Sequence, residues 1–405
     1  MPASPSTARA INDRLALRLL QQDGPLTATQ LKNLTGLSRP TVADLVERLQ
    51  EAGLVHVVGE SGSQRRGPNA RLYGIVADRA YLAALDVRTD GVAVAVADLL
   101  GVTRAEASLP VEEGTKTRPA VERAVAMVER AARGAGAASL HSVAVGAPGL
   151  IDPVSGELRD TAGLPAWHRE LVKELQRRLP ATVVVENETN LAAVAEHRAG
   201  AALGRDTFAL FWLGHGVGAA VMLDGVLRRG ASGGAGEIGF LPVPGTSGIP
   251  SALHCDGGFH SLVGSVAVRE LAAGHGIATG GSAGQGGTGG GAEREQDPAA
   301  AFAVRAALAD GSGRGEAFLS ALADRVALGA ASVVAVLDPG CVVLAGEVGR
   351  AGGEVLAALV EERLARLSPL PTEVRAGTLG GGAVLRGAVL AARDAAQDAL
   401  FAPAL

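Results

Sequence analysis

Apolar residues at Ile11, Leu15 and Leu19 share one face at helical spacing. They predict a first helix that runs to the Gly24-Pro25 break, after a disordered start over residues 1–10. A second short helix is expected over residues 27–35, stopped by Gly36. A third opens at Ser38, whose hydroxyl suits an N-cap, with Pro40 tolerated in its first turn. Its apolar residues Val42, Leu45, Val46 and Leu49 fit the i, i+3, i+4, i+7 pattern of a one-sided helix. L-V-H-V-V after Gly53, the polar stretch 59–69 and then R-L-Y-G-I-V predict a β-hairpin with a loose tip.

The texture changes at Tyr81. Apolar runs over 82–87 and 92–99 predict an antiparallel strand pair with Asp86 near its turn. A helix follows at 119–133, a buried strand at 142–145, a helix at 168–178 and a strand at 182–185. This alternation indicates an α/β fold. Residues 208–223 restart a β pattern around G-H-G-V-G, which predicts a second lobe of the same kind. Residues 274–291 are dominated by glycine and predict a mobile loop, because they offer little apolar area to bury. A helix near 316–336 leads into D-P-G-C-V-V-L-A-G-E-V-G, expected to be a strand with a glycine turn, and an amphipathic helix closes the chain at 383–400. The expected division is a head at 1–78, a first lobe at 79–195 completed by 383–405, and a second lobe at 196–382.

At 405 residues the chain needs more than one core. Aromatic residues are only 3%, so those cores are built mainly from Ala, Val and Leu. The net charge of −5 argues against coating nucleic acid or acidic membrane along the whole length, so any DNA contact comes from a local patch. Two cysteines, Cys255 and Cys341, cannot build a disulfide framework and suit a reducing compartment. With no secretion signal and no uninterrupted apolar run of roughly 18 residues, a soluble cytoplasmic protein with no membrane partner is expected.

Three helices with a short turn between the second and third, followed by a hairpin, make the layout of a winged helix-turn-helix. Such a head lays its third helix in the DNA major groove, N-terminal residues nearest the base edges. Here those are Arg39, Thr41 and Asp44 in the turns that also carry Pro40, with Arg48 further along towards phosphate. Arg39 suits guanine or phosphate, while Ser38 and Thr41 can donate to phosphates. Arg65 and Arg66 at the hairpin tip and Arg71 on the return strand add the local positive charge a wing needs. The alternative is a three-helix capping domain with a solvated charge run.

From Ala84 onward the chain resembles the ROK family of repressors and sugar kinases, within the actin-like ATPase superfamily. The motifs are A-P-G-L-I-D (147–152), L-P-A-W (164–167), V-E-N-E-T-N-L-A-A-V-A-E (185–196), L-G-H-G-V-G-A-A-V-M-L-D-G-V-L (213–227), G-A-S-G-G-A-G-E-I-G (230–239) and D-P-G-C-V-V-L-A-G-E-V-G (338–349). Their order and spacing carry the resemblance more than any one glycine motif. With the N-terminal head, the match is to the family's repressor branch. The resemblance implies two α/β lobes, a sugar site, and a homodimer or tetramer on a pseudo-palindromic double-stranded operator.

The departures from the family pattern bear on chemistry. Kinase members open with D-x-G-G-T, whose glycines let backbone N–H groups curl around phosphate. Here that turn reads Asp86, Val87, Arg88, Thr89, Asp90, and Asp90 sets a carboxylate near the expected phosphates. In the second phosphate loop His215 stands between Gly214 and Gly216 where threonine is usual. Phosphoryl transfer depends on positioning and charge neutralisation, so no catalytic residue and no cofactor is expected. The family's general base, the Asp of an N-D pair, is replaced by Glu188 after Asn187, which suits accepting a ligand hydroxyl; a helix N-terminal carboxylate favoured by the dipole is the competing role.

The family's zinc site uses the His of E-x-G-H and three cysteines. Here Phe240 holds the histidine's place, and L-H-C-D-G-G-F-H supplies Cys255 alone, so no metal is expected; Phe240 and Phe259 are expected to replace it by packing. His260 takes the place of a family sugar-ligating glutamate. The expected ligand-binding set is therefore Asn187, Glu188, Glu237 and His260, for a sugar-like effector. Two other functions stay open: an active ATP-dependent sugar kinase, and an effector-independent regulator with a vestigial sensor.

Overall fold

The computed structural model describes residues 5–61, 70–112, 114–159, 165–251, 255–280 and 299–401. The chain divides into two compact units: residues 1–145, 165–184 and 388–405 form the first, and residues 146–164 and 185–387 the second.

The first unit opens with α1 (Pro5–Asp23), β1 (Leu26–Thr27), α2 (Ala28–Thr35), α3 (Arg39–Glu51), β2 (Val55–Ser61) and β3 (Ala70–Ile75). α1 starts at Pro5, within the stretch expected to be disordered. Pro5 is compatible with a first helical turn, and Ala8, Arg9 and Ala10 are strong helix formers with no glycine to stop them. Its buried face also differs from the expected one. Ala16, Leu17 and Leu20 are buried, while Ile11 and Leu15 are exposed. Two stripes of similar spacing lie on this helix, and tertiary packing chose the other.

α2 is held by a capping box. Thr27 Oγ1 accepts from the Gln30 amide at 3.2 Å, and Gln30 Oε1 accepts from the Thr27 amide at 2.9 Å. Gly36 ends the helix at φ 71°, a left-handed conformation that glycine adopts at low cost. β1, β3 and β2 form a three-stranded sheet with β3 central and all pairs antiparallel.

The unit continues with β4 (Tyr81–Arg88), β5 (Gly91–Asp98), β6 (Thr103–Pro110), α4 (Thr117–Gly134), β7 (Leu140–Ala147), α5 (Trp167–Arg178) and β8 (Thr182–Asn187), the last residues of β7 and β8 belonging to the second unit. The sheet order is β6-β5-β4-β7-β8. β6 was not expected. It lies at the sheet edge, exposed or half-buried throughout, and its polar composition leaves no apolar run to read.

The second unit contains α6 (Glu188–Ala199), β9 (Phe208–Leu213), β10 (Val217–Leu223), β11 (Val226–Arg228), α7 (His260–Val263), α8 (Ser265–Gly274), α9 (Ala299–Ala309), α10 (Arg314–Leu337), β12 (Cys341–Ala345), α11 (Gly346–Leu367) and β13 (Glu373–Ala376). Its sheet, β11-β10-β9-β12-β13, pairs the first three strands antiparallel and adds β12 and β13 in parallel. Of the glycine-rich stretch, residues 281–291 lie outside the described residues.

α11 stands where only a glycine turn was expected. Its first residues are rich in glycine because the backbone is crowded: a Cβ on Gly349 would stand 2.8 Å from the Leu344 main chain. α10 is long and apolar enough to cross a membrane by length and composition, yet its Phe318, Leu322, Val326 and Val334 are fully buried in the core.

The last helix, α12 (Ala383–Leu400), joins the first unit from Ala388 onward. Ser142 donates to the Ala392 carbonyl at 2.7 Å, and Gln397 donates to Leu99 O and Gln21 Oε1. The N-terminal head thereby touches the end of the chain.

Candidate functional site

The helical head presents α3 in a defined way. Val42, Leu45, Val46 and Leu49 are buried, which turns the opposite face to solvent. Ser38 caps the helix: its Oγ accepts from the Thr41 amide at 3.3 Å and lies 2.7 Å from the Thr41 hydroxyl. Ser38, Arg39, Pro40 and Asp44 are exposed, and Thr41 is half-buried. The first turn of α3 is thus a rigid, solvent-facing platform with the guanidinium of Arg39 on it.

Arg48 sits differently from the expected phosphate contact. It pairs with Asp13 of α1, Nη2 to Oδ1 at 2.6 Å, and so fastens α3 to α1. Arg65 and Arg66 lie outside the described residues. Arg71 is exposed on β3, in register with Glu60 on β2.

In the second unit the four residues expected to hold a ligand lie on the start of α6, on the glycine loop before residue 238 and at the start of α7. Asn187 caps α6: its Oδ1 accepts from the Thr189 and Asn190 amides at 2.8 and 3.3 Å. Its Nδ2 donates to the Gly149 carbonyl at 3.1 Å, which uses one of its two N–H groups. Glu188 occupies the first turn of α6, where the helix dipole favours its charge. Residues 149–151 then meet the glycine loop before Glu237: a Cβ on Gly234 would lie 3.5 Å from Leu150 and 3.6 Å from Glu237. At Gly236, φ is 94° and any side chain would strike the Ala219 carbonyl, so this loop turns on glycine.

Glu237 leads into a short turn, residues 238–240, that abuts the loop carrying His260. Phe259 donates its amide to Leu241 O at 2.8 Å, and a Cβ on Gly239 would lie 3.6 Å from His260 Cβ. Glu237 reaches solvent at its surface, but the protein around it disfavours the charge and raises its pKa. His260 is shifted below the usual histidine value, first by burial and then by the neighbouring His215, with Asp256 opposing. Burial, followed by nearby carboxylates, raises the Cys255 thiol, which keeps it protonated and a poor ligand. Phe259 is fully buried, whereas Phe240 is exposed, so of the two phenylalanines expected to pack this region Phe259 does and Phe240 does not.

Sequence reasoning missed two residues of this arrangement. Glu186 is buried; it accepts from Asn190 Nδ2 at 2.8 Å and from Arg229 Nε at 2.6 Å. Arg229 directly precedes the glycine loop, so this pair ties the Asn187 end of the site to the Glu237 end. The only signal in the sequence was an acid next to Asn187 and a cation far along the chain.

The hairpin of β4 and β5 is closed by Thr89 and Asp90, with Arg88 opposite Gly91. Asp86 is buried, and Arg88 binds its carboxylate through Nε at 3.0 Å and Nη2 at 2.9 Å. The acid of this turn is neutralised within the chain. The Arg88 carbonyl in turn accepts from His168 Nε2 at 3.1 Å, which leaves His168 Nδ1 as a buried acceptor with no partner among the described residues. Among the described residues no group of three or more His, Cys, Asp or Glu side chains could hold a metal; His254 lies outside them.

His141, His168 and His260 are all held below the ordinary histidine value of about 6.5, chiefly by burial. The unfolded chain therefore takes up protons near 6.5 that the native state refuses, and stability falls as pH drops below that value. The urea midpoint is expected to fall between about pH 7.5 and about pH 5.5, and to fall less in His168→Gln. An equal decline in both proteins would contradict this.

Comparison with known proteins places this geometry. The ROK family model matches residues 82–395, and a winged helix-turn-helix DNA-binding model matches residues 9–56. The chain is 26% identical over 243 residues to the DNA-binding transcriptional dual regulator NagC of Escherichia coli K12, an alignment covering 58% of each chain. The match thus spans less than two thirds of that relative's length. A ROK family transcriptional regulator homologous to E. coli MLC superposes with a TM-score of 0.75 at 20% identity, covering 97% of this chain and 98% of that one. A ROK hexokinase from Thermus thermophilus superposes with a TM-score of 0.62 at 26% identity, over 78% of this chain and 99% of that one.

Proposed function

This chain belongs to the ROK family, and from that premise we propose that it is a sequence-specific DNA-binding transcriptional regulator, a repressor whose sugar-kinase-like portion senses a sugar without phosphorylating it. The observation that carries the reading is the Ser38-capped α3, its first turn solvent-facing, on a winged head joined to a sugar-kinase fold. The head is assigned to residues 1–78, with lobes at 79–195 plus 383–405 and at 196–382. Arg39, Thr41 and Asp44 meet base edges; Ser38, Pro40, Arg65, Arg66 and Arg71 line the phosphate backbone, and Arg48 keeps α3 in place. A cytoplasmic homodimer or tetramer places two heads on a two-fold operator.

The effector is a sugar or sugar derivative held in the second unit by Asn187, Glu188, Glu237 and His260. The neutral ring of His260 and the carboxyl of Glu237 supply both acceptors and donors to hydroxyl groups. The reading as a sensor and not a kinase rests on the Asp86–Arg88 pair, which uses the carboxylate of the first turn internally. The fold is shared with a sugar kinase, so turnover is the discriminating measurement. In a panel of hexoses, pentoses and N-acetylated hexosamines, one sugar at about a hundredfold excess over its Kd stabilises the protein by roughly 2.7 kcal/mol, seen as a raised Tm. Glu237→Ala abolishes that rise, and a coupled assay with Mg-ATP shows no turnover with any sugar. Sustained turnover that Glu188→Ala removes would establish the kinase instead, and a flat Tm across the panel would establish an effector-independent regulator.

A further inference from the structure

Within the first unit, a cavity of about 700 Å³ opens where the winged head meets the sheet that follows it, a volume suited to a small molecule. The head supplies one wall, with Leu20 at the end of α1, Val58 on β2 and Ile75 on β3. The sheet supplies the other, with Tyr81 at the start of β4 and Leu100 just after β5. Val58 is 45% exposed, so the wall carries apolar surface that the chain leaves to water. The polar lining is of two kinds. Asp98 is buried, and one of its oxygens accepts from the Leu100 and Val102 amides at 3.0 Å each, the other from Arg104 Nη2 at 2.6 Å. That acid and that cation satisfy each other. Asp78, in the short turn 77–79 that joins head to sheet, is exposed and has no hydrogen-bond or ion-pair partner among the described residues. The His56 ring and the Tyr81 hydroxyl, also in the lining, have none either. With His56 neutral, the lining therefore carries one uncompensated negative charge beside an aromatic ring and four apolar side chains.

We propose that this cavity is a second ligand site, for a small amphipathic ammonium compound whose binding sets the position of the head. The Asp78 carboxylate attracts the ammonium group, and the Tyr81 ring adds the negative face that draws a cation. Leu20, Val58, Ile75 and Leu100 are covered by the apolar body, which removes their surface from water. A molecule that touches both walls favours one arrangement of head and sheet, and it alters DNA affinity by the difference in its own affinity for the arrangements. Gln21 also lines the cavity, and Gln397 of α12 donates to its Oε1 at 2.7 Å, so the occupant acts on a seam where the chain already holds the head. The site shares no residue with the candidate sugar site of the second unit. Its effect on DNA rests on the regulator reading given above, whereas its binding does not.

The test is calorimetric titration of the full chain with phenethylamine, phenethyl alcohol and phenylacetate, which share an apolar body and differ in charge. Phenethylamine is expected to bind saturably, the alcohol about tenfold more weakly because it loses both the ion pair and the ring contact, and phenylacetate not measurably. Asp78→Asn, an exposed substitution expected to leave the Tm unchanged, weakens phenethylamine about threefold and leaves the alcohol as it was. Ala135→Trp, which fills the cavity from the end of α4, abolishes binding of both. Saturating phenethylamine shifts the Kd for a duplex selected by the full chain at least about fivefold, and the shift is absent in Ala135→Trp. Saturable binding of none of the three compounds overturns the site. Equal binding of all three, or undiminished phenethylamine binding in Asp78→Asn, overturns the ammonium assignment. Binding with no change in the Kd for DNA overturns control of the head. A full chain that selects no duplex sinks the regulator reading, and the titrations still decide whether the site exists.

Discussion

Arg39→Ala weakens binding to the cognate DNA by roughly ten- to a hundredfold, the loss expected for one good base contact worth about 1–3 kcal/mol. The size follows from where the residue stands. α3 buries Val42, Leu45, Val46 and Leu49, so its orientation is fixed by the core and does not depend on Arg39. Ser38 holds the N-terminus of the helix, and the exposed guanidinium then projects from its first turn. Because the side chain is exposed, the Tm should stay within about half a kcal/mol equivalent of wild type. Fluorescence anisotropy at one fixed salt concentration checks both halves of this expectation, since the electrostatic share of affinity varies with salt. Loss of binding to all sequences alike would instead make Arg39 a phosphate contact. Unchanged affinity would remove α3 from the interface.

The largest stability effect is expected at Phe259. Its side chain is fully buried in the second unit, and its ring fills the space over Gly329 of α10, where any Cβ would clash with it. Phe259→Ala should cost about 3–5 kcal/mol, the transfer term plus the cavity left behind. Phe211 and Phe318 are the other aromatic residues of this buried core, which is otherwise Ala, Val, Leu and Ile, so the cost depends on how far these neighbours relax into the gap. His260 follows directly in the chain, and the Phe259 amide is bonded to Leu241, so the ligand loop should loosen with it. Urea unfolding should show a lowered midpoint at nearly constant slope, together with weaker sugar binding. A loss below about 1 kcal/mol would mean that the loop is held by something other than this ring.

Much of the fold was legible because its helices and strands carry strong local patterns. The third helix of the head, with Ser38, Pro40 and four apolar residues at helical spacing, could be read almost residue by residue. The pattern fails where packing is tight or absent. α11 hides behind glycines that are there for close approach, and β6 hides behind the polar composition of an edge strand. On α1, two stripes compete and spacing alone cannot choose between them.

The candidate site was legible as a set of residue types, and the structure adds what each is already committed to. Asn187 spends most of its capacity on Gly149 and the α6 amides, and Arg48 is engaged by Asp13. Glu186 and Arg229, 43 residues apart, join the two ends of the candidate site, and no local pattern encodes such a pair. The packing of Phe259 could be anticipated from the missing histidine and cysteines. The exposure of Phe240 could not, because both are phenylalanines in similar glycine-rich loops.

The central claim is that the head selects a DNA sequence, and selection from a random-sequence duplex library by the full chain tests it most directly. At a stated salt concentration, the enriched duplexes should share one motif with two-fold related halves about one helical turn apart, and the Arg39→Ala protein should fail to enrich it. Recovery of no motif beyond the starting library, with binding that vanishes as salt rises, would contradict a sequence-specific regulator.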